Sequence, residues 1–133
     1  IRFYEVQTGK PTAFTLEHSL DIVEINLNKS DIASERKIAF IDSNRDLFLS
    51  PTFKRDIVIN LSTQLQNVYL FFSHPDQIAA MTDTFLWNDR NDILAAVADS
   101  RLLAWYYPNA IYVDKDLMEL AKVTKVYTLS LEN

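Results

Sequence analysis

Cysteine is absent from the 133 residues, and glycine occurs once, at Gly9. Without cysteine there is no disulfide framework, no thiolate zinc site and no cysteine nucleophile. The absence agrees with an intracellular setting, where thiols stay reduced and disulfides are rare. Phosphate loops and dinucleotide fingerprints need several glycines where backbone closes on phosphate, so one glycine excludes both. Basic residues are outnumbered, thirteen against eighteen acidic ones, for a formal charge of −5. They are scattered, and the densest group is the pair Arg36-Lys37. A nucleic-acid surface concentrates lysine and arginine on one face, so no nucleic-acid partner is expected. No uncharged apolar run is long enough for a membrane helix. The start also lacks the basic-then-apolar order of a signal peptide, so no membrane insertion is expected.

What remains is apolar and aromatic. Hydrophobic residues make up 48% of the chain, enough for a packed core. The length suits one small domain or part of a larger one. The chain opens at Ile1 rather than at methionine, which suggests a piece of a longer protein.

The periodicity is that of short strands. Ile22, Glu24 and Asn26 alternate with Val23, Ile25 and Leu27, a half-buried strand pattern. Lys37 to Ile41 and Leu47 to Leu49 are further runs, separated by the turn signal Asp42-Ser43-Asn44-Arg45. Asp56 to Leu61 alternates again. Such spacing predicts an antiparallel, all-β architecture. Pro75 to Tyr107 reads two ways. Helices over 76–86 and 91–103 are supported by Asp92 as an N-cap and by Ala95, Ala96 and Ala98. Strands over 84–87, 93–98 and 102–107 fit the same residues.

An internal repeat favours strands. FIDSNRDLFLS (40–50) aligns with AVADSRLLAWY (96–106) after one deletion, each an apolar run, Asp, Ser, Arg, then an apolar run with an aromatic, Phe48 or Trp105. IRFYEVQTGKP at the start reads as a truncated third copy. Self-similarity over tens of residues marks repeat architectures. The two complete copies are further apart than one propeller blade of roughly 40–45 residues, and an insertion around 62–82 accounts for the excess.

IRFYEVQTGKPTAFTLEHSLDIVEI resembles a WD repeat. Tyr4-Glu5 stands where that family has Trp-Asp at the end of strand c, Thr8-Gly9 makes the turn, and Glu17-His18 replaces Gly-His before strand a. RKIAFIDSNRDLFLS and FLWNDRNDILAAVADSRLLAWYYPNAIYVDKDL are similar to the second propeller of WD-repeat subunits of intraflagellar transport complex B. The resemblance covers most of 1–117, and fails at 65–81 and beyond 118. It implies a non-enzymatic scaffold for building cilia, without cofactor or metal. Its partners would be other complex B subunits, at the cilium or flagellum and basal body on the cytoplasmic side. It also implies a WD-type propeller fragment of about two and a half blades. Strands c and d of one blade would lie in 1–17. A second blade would span 18–61, with strands at 21–27, 37–41, 47–50 and 55–61. A third would span 83–117, with strands at 84–87, 93–98, 102–107 and 110–113, followed by a tail at 118–133. A closed propeller needs four or more blades to hide its strand edges, so the isolated fragment is expected to self-associate through open edges.

The chemistry-bearing residues have structural readings first. In WD repeats the histidine before strand a bonds the aspartate of the b–c turn, and His18 and Asp42 occupy those positions, with Phe48 in place of the strand-c Trp. The last blade keeps Asp99 and Trp105 without a histidine. A His–Asp catalytic pair also requires a nucleophile and an oxyanion site, and none is evident. His18, His74 and Asp76 show no metal-ligand spacing. Asp83, Asp89, Asp92, Asp99, Asp114 and Asp116 could supply an acid and a base for glycoside hydrolysis, but read as solvated turn residues. The aromatics of YYPNAIY (106–112) read as packing between blades, or alternatively as a groove for a peptide. Two other functions fit less of the sequence: a WD-type adaptor of a vesicle coat or ubiquitin ligase, and a small α+β enzyme with a helical 75–107.

Overall fold

A computed structural model describes residues 1–32, 35–52, 57–59, 68–70, 75–112 and 116–126. The first unit is a hairpin of β1 (Arg2–Tyr4) and β2 (Pro11–Thr15). Its turn is closed by Glu5 N–H donating to Lys10 O at 2.9 Å and Gly9 N–H donating to Glu5 O at 2.8 Å. Gly9 sits there at φ 66°, a left-handed conformation that glycine adopts without a Cβ clash.

The middle sheet contains β3 (Ile22–Leu27), β4 (Lys37–Asp42) and β5 (Leu47–Pro51). Next come β6 (Ile57–Ile59) and β7 (Val68–Leu70), which pair as a separate hairpin. The chain then returns as β8 (Asp76–Ala79), and the sheet runs β3-β4-β5-β8. The last sheet is built from β9 (Thr82–Trp87), β10 (Leu94–Ala98), β11 (Arg101–Trp105) and β12 (Lys122–Val126), antiparallel and in sequence order. A 3-10 helix (Pro108–Tyr112) and the short α1 (Asp116–Leu120) connect β11 to β12. Two four-stranded antiparallel sheets and a two-stranded one amount to two and a half blades of an all-β propeller. The helical reading of 75–107 is overturned, because β8 to β11 occupy that span.

Two expected strands lie elsewhere. The outer strand of the middle sheet is Asp76–Ala79 rather than the expected 55–61, of which 55, 56, 60 and 61 lie outside the described residues. The alternation at Ile57 and Ile59 belongs instead to the inserted β6–β7 hairpin, since period two does not identify a strand's partner. The outer strand of the last sheet is Lys122–Val126, within the span read as a tail. Residues 110–112, read as the start of that strand, end the 3-10 helix, which is consistent with Pro108 at its first position, where no N–H is needed.

The main core fills the space between the two complete sheets. Ala39, Ile41, Leu47 and Leu49 meet Phe85, Trp87, Leu94, Ala96, Leu103 and Trp105 there. A smaller cluster on the other side of β4 joins Ile38 to Phe14 and Leu16, with Ile1 and Phe3 against it. With both its faces covered, β4 is buried at every residue. That is why KIAFID is apolar on both faces, apart from its two ends. Val23, Ile25 and Leu27 are exposed, whereas Ile22 and Glu24 on the opposite face are half-buried.

The two complete sheets turn differently between their second and third strands. In the last sheet Ala98 pairs with Arg101, leaving a two-residue loop whose members, Asp99 and Ser100, have φ of 49° and 59°. Two positive values define a type I′ hairpin turn, whose twist matches the strands. In the middle sheet Ile41 pairs with Leu47, and the intervening five residues carry a single positive φ, at Arg45.

Candidate functional site

His18 follows β2 and precedes β3, and Asp42 ends β4. The two meet with His18 Nε2 2.8 Å from Asp42 Oδ2. Asp42 Oδ1 accepts from the backbone N–H of Asn44 at 3.0 Å and of Asp46 at 3.1 Å. The carboxylate is therefore buried with both oxygens occupied, as a buried charge must be. Burial pushes the Asp42 carboxyl up, but the hydrogen bonds from His18 and from the Asp46 and Asn44 amides outweigh it. The net position is below the ordinary value of 3.8. The His18 ring also packs edge-on against Phe48 at 4.5 Å and Phe40 at 5.1 Å between centroids. These bonds close the β4–β5 turn on Asp42 and tie the segment after the first hairpin to the end of β4.

Asp99 and Trp105 are not brought together in this way. Asp99 is exposed in its turn, where its N–H donates to Met81 O at 2.9 Å. Trp105 is fully buried in the main core, and its Nε1 has no hydrogen-bond partner among the described residues. The aromatic positions of the repeat are also not equivalent. Phe48 pairs with Phe40 one residue beyond its turn, while Trp105 pairs with Leu94 at the far end of its strand. The shorter turn of the last sheet shifts the alignment by three residues, which a linear comparison with one deletion conceals. Tyr106 and Tyr107 are 56% and 48% exposed, so burial between blades does not extend to them.

Of the other carboxylates, Asp83, Asp89 and Asp116 are exposed. His74 and Asp114 lie outside the described residues, and no cluster able to hold a metal ion occurs among the described ones. Asp92 departs from the solvated reading, because it is drawn against the first residue of β4. Lys37 is fully buried, and its Nζ lies 2.6 Å from Asp92 Oδ2. The same ammonium donates to Glu35 O at 2.7 Å and Asn109 Oδ1 at 2.6 Å. Asn28, also buried, accepts from Lys37 N–H at 2.8 Å and donates to Asp92 Oδ1 at 2.9 Å. This network joins the middle sheet to two connections of the last one: the β9–β10 loop and the 3-10 helix. Burial holds the Lys37 pKa below its ordinary 10.5, and the Asp92 carboxylate and Glu35 offset this only in part. Around it, Trp87 Nε1 donates to Asn26 O at 3.3 Å, Thr84 Oγ1 donates to Glu24 at 3.0 Å, and Lys29 pairs with Asp89. Sequence reasoning missed Lys37. The available signal was a lone cation opening an otherwise apolar strand.

Stacked four-stranded antiparallel sheets with a shared core, one braced by a buried His–Asp pair, define a β-propeller segment. Residues 1–131 match the family described as IFT80 second beta-propeller, and the chain belongs to it. It is 36% identical over 123 residues to the intraflagellar transport protein 80 homolog of Rattus norvegicus, covering 89% of this chain. Identity to the homolog of Mus musculus is 37% over the same length and share. The chain spans 14% of the length of these relatives.

Two outcomes follow from the buried charges. Asp42→Asn should cost about 1–3 kcal/mol at neutral pH, by weakening bonds to buried donors. A carboxylate with a depressed folded pKa stabilises above its unfolded value. The advantage of the wild type over Asp42→Asn should therefore hold above pH 3.8 and vanish as pH falls through the lower folded value, read by urea unfolding. A constant difference down to the lowest pH would mean that the buried carboxylate charge contributes nothing. Lys37→Met should cost about 3 kcal/mol by stranding Asp92, and adding Asp92→Leu should recover more than half of it. Because the folded Lys37 releases its proton below the unfolded value, the wild type should gain on Lys37→Met as pH rises toward 10.5. A neutral Lys37→Met would mean that the network does not hold the two sheets together.

Proposed function

We propose that this chain is part of a non-enzymatic scaffold in intraflagellar transport complex B, needed for cilium assembly and located in the cilium or flagellum and basal body. The family membership carries this reading. The relatives are named as intraflagellar transport proteins, and a propeller presents loops and strand edges on which other subunits can assemble. The geometry of His18 and Asp42 supports a structural rather than a catalytic role. Their bonds to each other and to turn amides are those of a brace, and the brace needs no substrate. Exposed apolar residues at the two outer faces, including Val23, Ile25 and Leu86, support the further reading that the isolated segment self-associates.

The test is affinity purification of the full-length parent from ciliated cells, followed by mass spectrometry. The expected result is recovery of complex B subunits with the bait. A soluble, intact bait that recovers none of them would contradict the scaffold reading.

A further inference from the structure

We propose that the outer groove between the two complete sheets docks a short basic segment of a partner protein, bound in extended form through an aliphatic anchor. The groove measures about 460 Å³ and lies between β8 on one side and the 3-10 helix and α1 on the other. Ile78, Ile111 and Met118 line its apolar part, and all three pack with the main core. The apolar part is thus backed by a packed interior and exists before any ligand arrives, as small binding sites usually do. The wall that carries Ile111 is tied to the middle sheet, because Asn109 of the same 3-10 helix accepts from the buried Lys37 ammonium.

Charge and edge geometry select the occupant. The charged residues lining the groove, Asp76 and Glu119, are both acidic, on a chain of net charge −5. Neither is free: Asp76 has an interaction of its own, and Glu119 pairs with Lys122 at 2.7 Å. The Glu119 side chain is 67% exposed, however, and an exposed pair of this kind holds weakly, so a ligand cation can compete for it. Among the described residues β8 is the terminal strand of its sheet and pairs on one side only, with β5. An open strand edge takes an extended segment through main-chain hydrogen bonds, while side-chain pockets set the preference. Over the four residues of β8 the ladder is short, roughly 13 Å at strand rise. The matching ligand has one aliphatic side chain for the apolar floor, with lysine or arginine two residues away, on the same face of the extended segment, to compete for Glu119. This inference goes beyond the scaffold reading and stands whichever assembly the parent joins.

The probe is the fluorescein-labelled peptide KTLTR, whose Lys, Leu and Arg share one face when extended, titrated with the full chain by fluorescence anisotropy against the acidic counterpart ETLTE. Saturable binding of the basic peptide alone is expected. Glu119→Lys should weaken it about tenfold, and Glu119→Gln by a smaller factor. Asp83→Lys makes the same change in net charge at an exposed position on β9, away from the groove, and should leave binding within about twofold. Equal weakening by Glu119→Lys and Asp83→Lys would mean general attraction to an acidic chain, and would overturn the proposal. So would the absence of saturable binding. Binding that is lost as the chain self-associates at higher concentration would assign the groove to a second copy, and would also overturn it.

Discussion

Strand β4 begins and ends with a buried charge, and much of the packing follows from that. Lys37 faces the last sheet and Asp42 faces the first hairpin, because residues five apart on a strand point to opposite sides. Each charge must gather partners from the element it faces, or lose more by desolvation than the fold gains by burying the strand. Lys37 draws in Asp92 and Asn109 from the last sheet's connections, and Asp42 draws in His18 from the link after the first hairpin. A slip of one residue would turn both charges to the wrong neighbours, so the pair also fixes the register of the middle sheet.

The apolar contacts between these polar anchors are not specific in the same way. Ala39, Ile41, Leu47 and Leu49 could meet a neighbouring sheet in more than one offset, since hydrophobic burial is non-directional. The hydrogen bonds of Lys37 and Asn28 remove that freedom, holding the β9–β10 loop and the 3-10 helix at set positions over β4. Polar groups inside the stack therefore serve arrangement more than net stability, which agrees with the small or negative net worth of many buried ion pairs. The same restraint orders the wall of the outer groove, so packing and recognition share one set of contacts.

Fold class was legible in the sequence because it rests on strand periodicity, turn residues and the repeat around Asp42 and Asp99. His18 and Asp42 could be placed by their positions in a resembling family. Strand partners were less legible. Ile57 and Ile59 alternate as a strand should, yet nothing local says that they pair with Val68 to Leu70 rather than with β5. The outer strand at Lys122–Val126 carries two lysines and two exposed valines, a composition shared by edge strands and tails. The Lys37 network was illegible for a plainer reason. Its members Asn28, Lys37, Asp92 and Asn109 are polar residues far apart in the chain, and only the stacking of two sheets makes them neighbours.

The Lys37 network and the shared core join the two complete sheets into one unit. Native-state amide hydrogen exchange tests it most directly, because it reports the opening free energy of each strand. The central amides of β4 and β10 should exchange through a common opening, with protection equal within about 1 kcal/mol, and both should fall together in denaturant. If β10 exchanged through a separate opening of much lower free energy while β4 stayed protected, the two sheets would be independent units that merely touch.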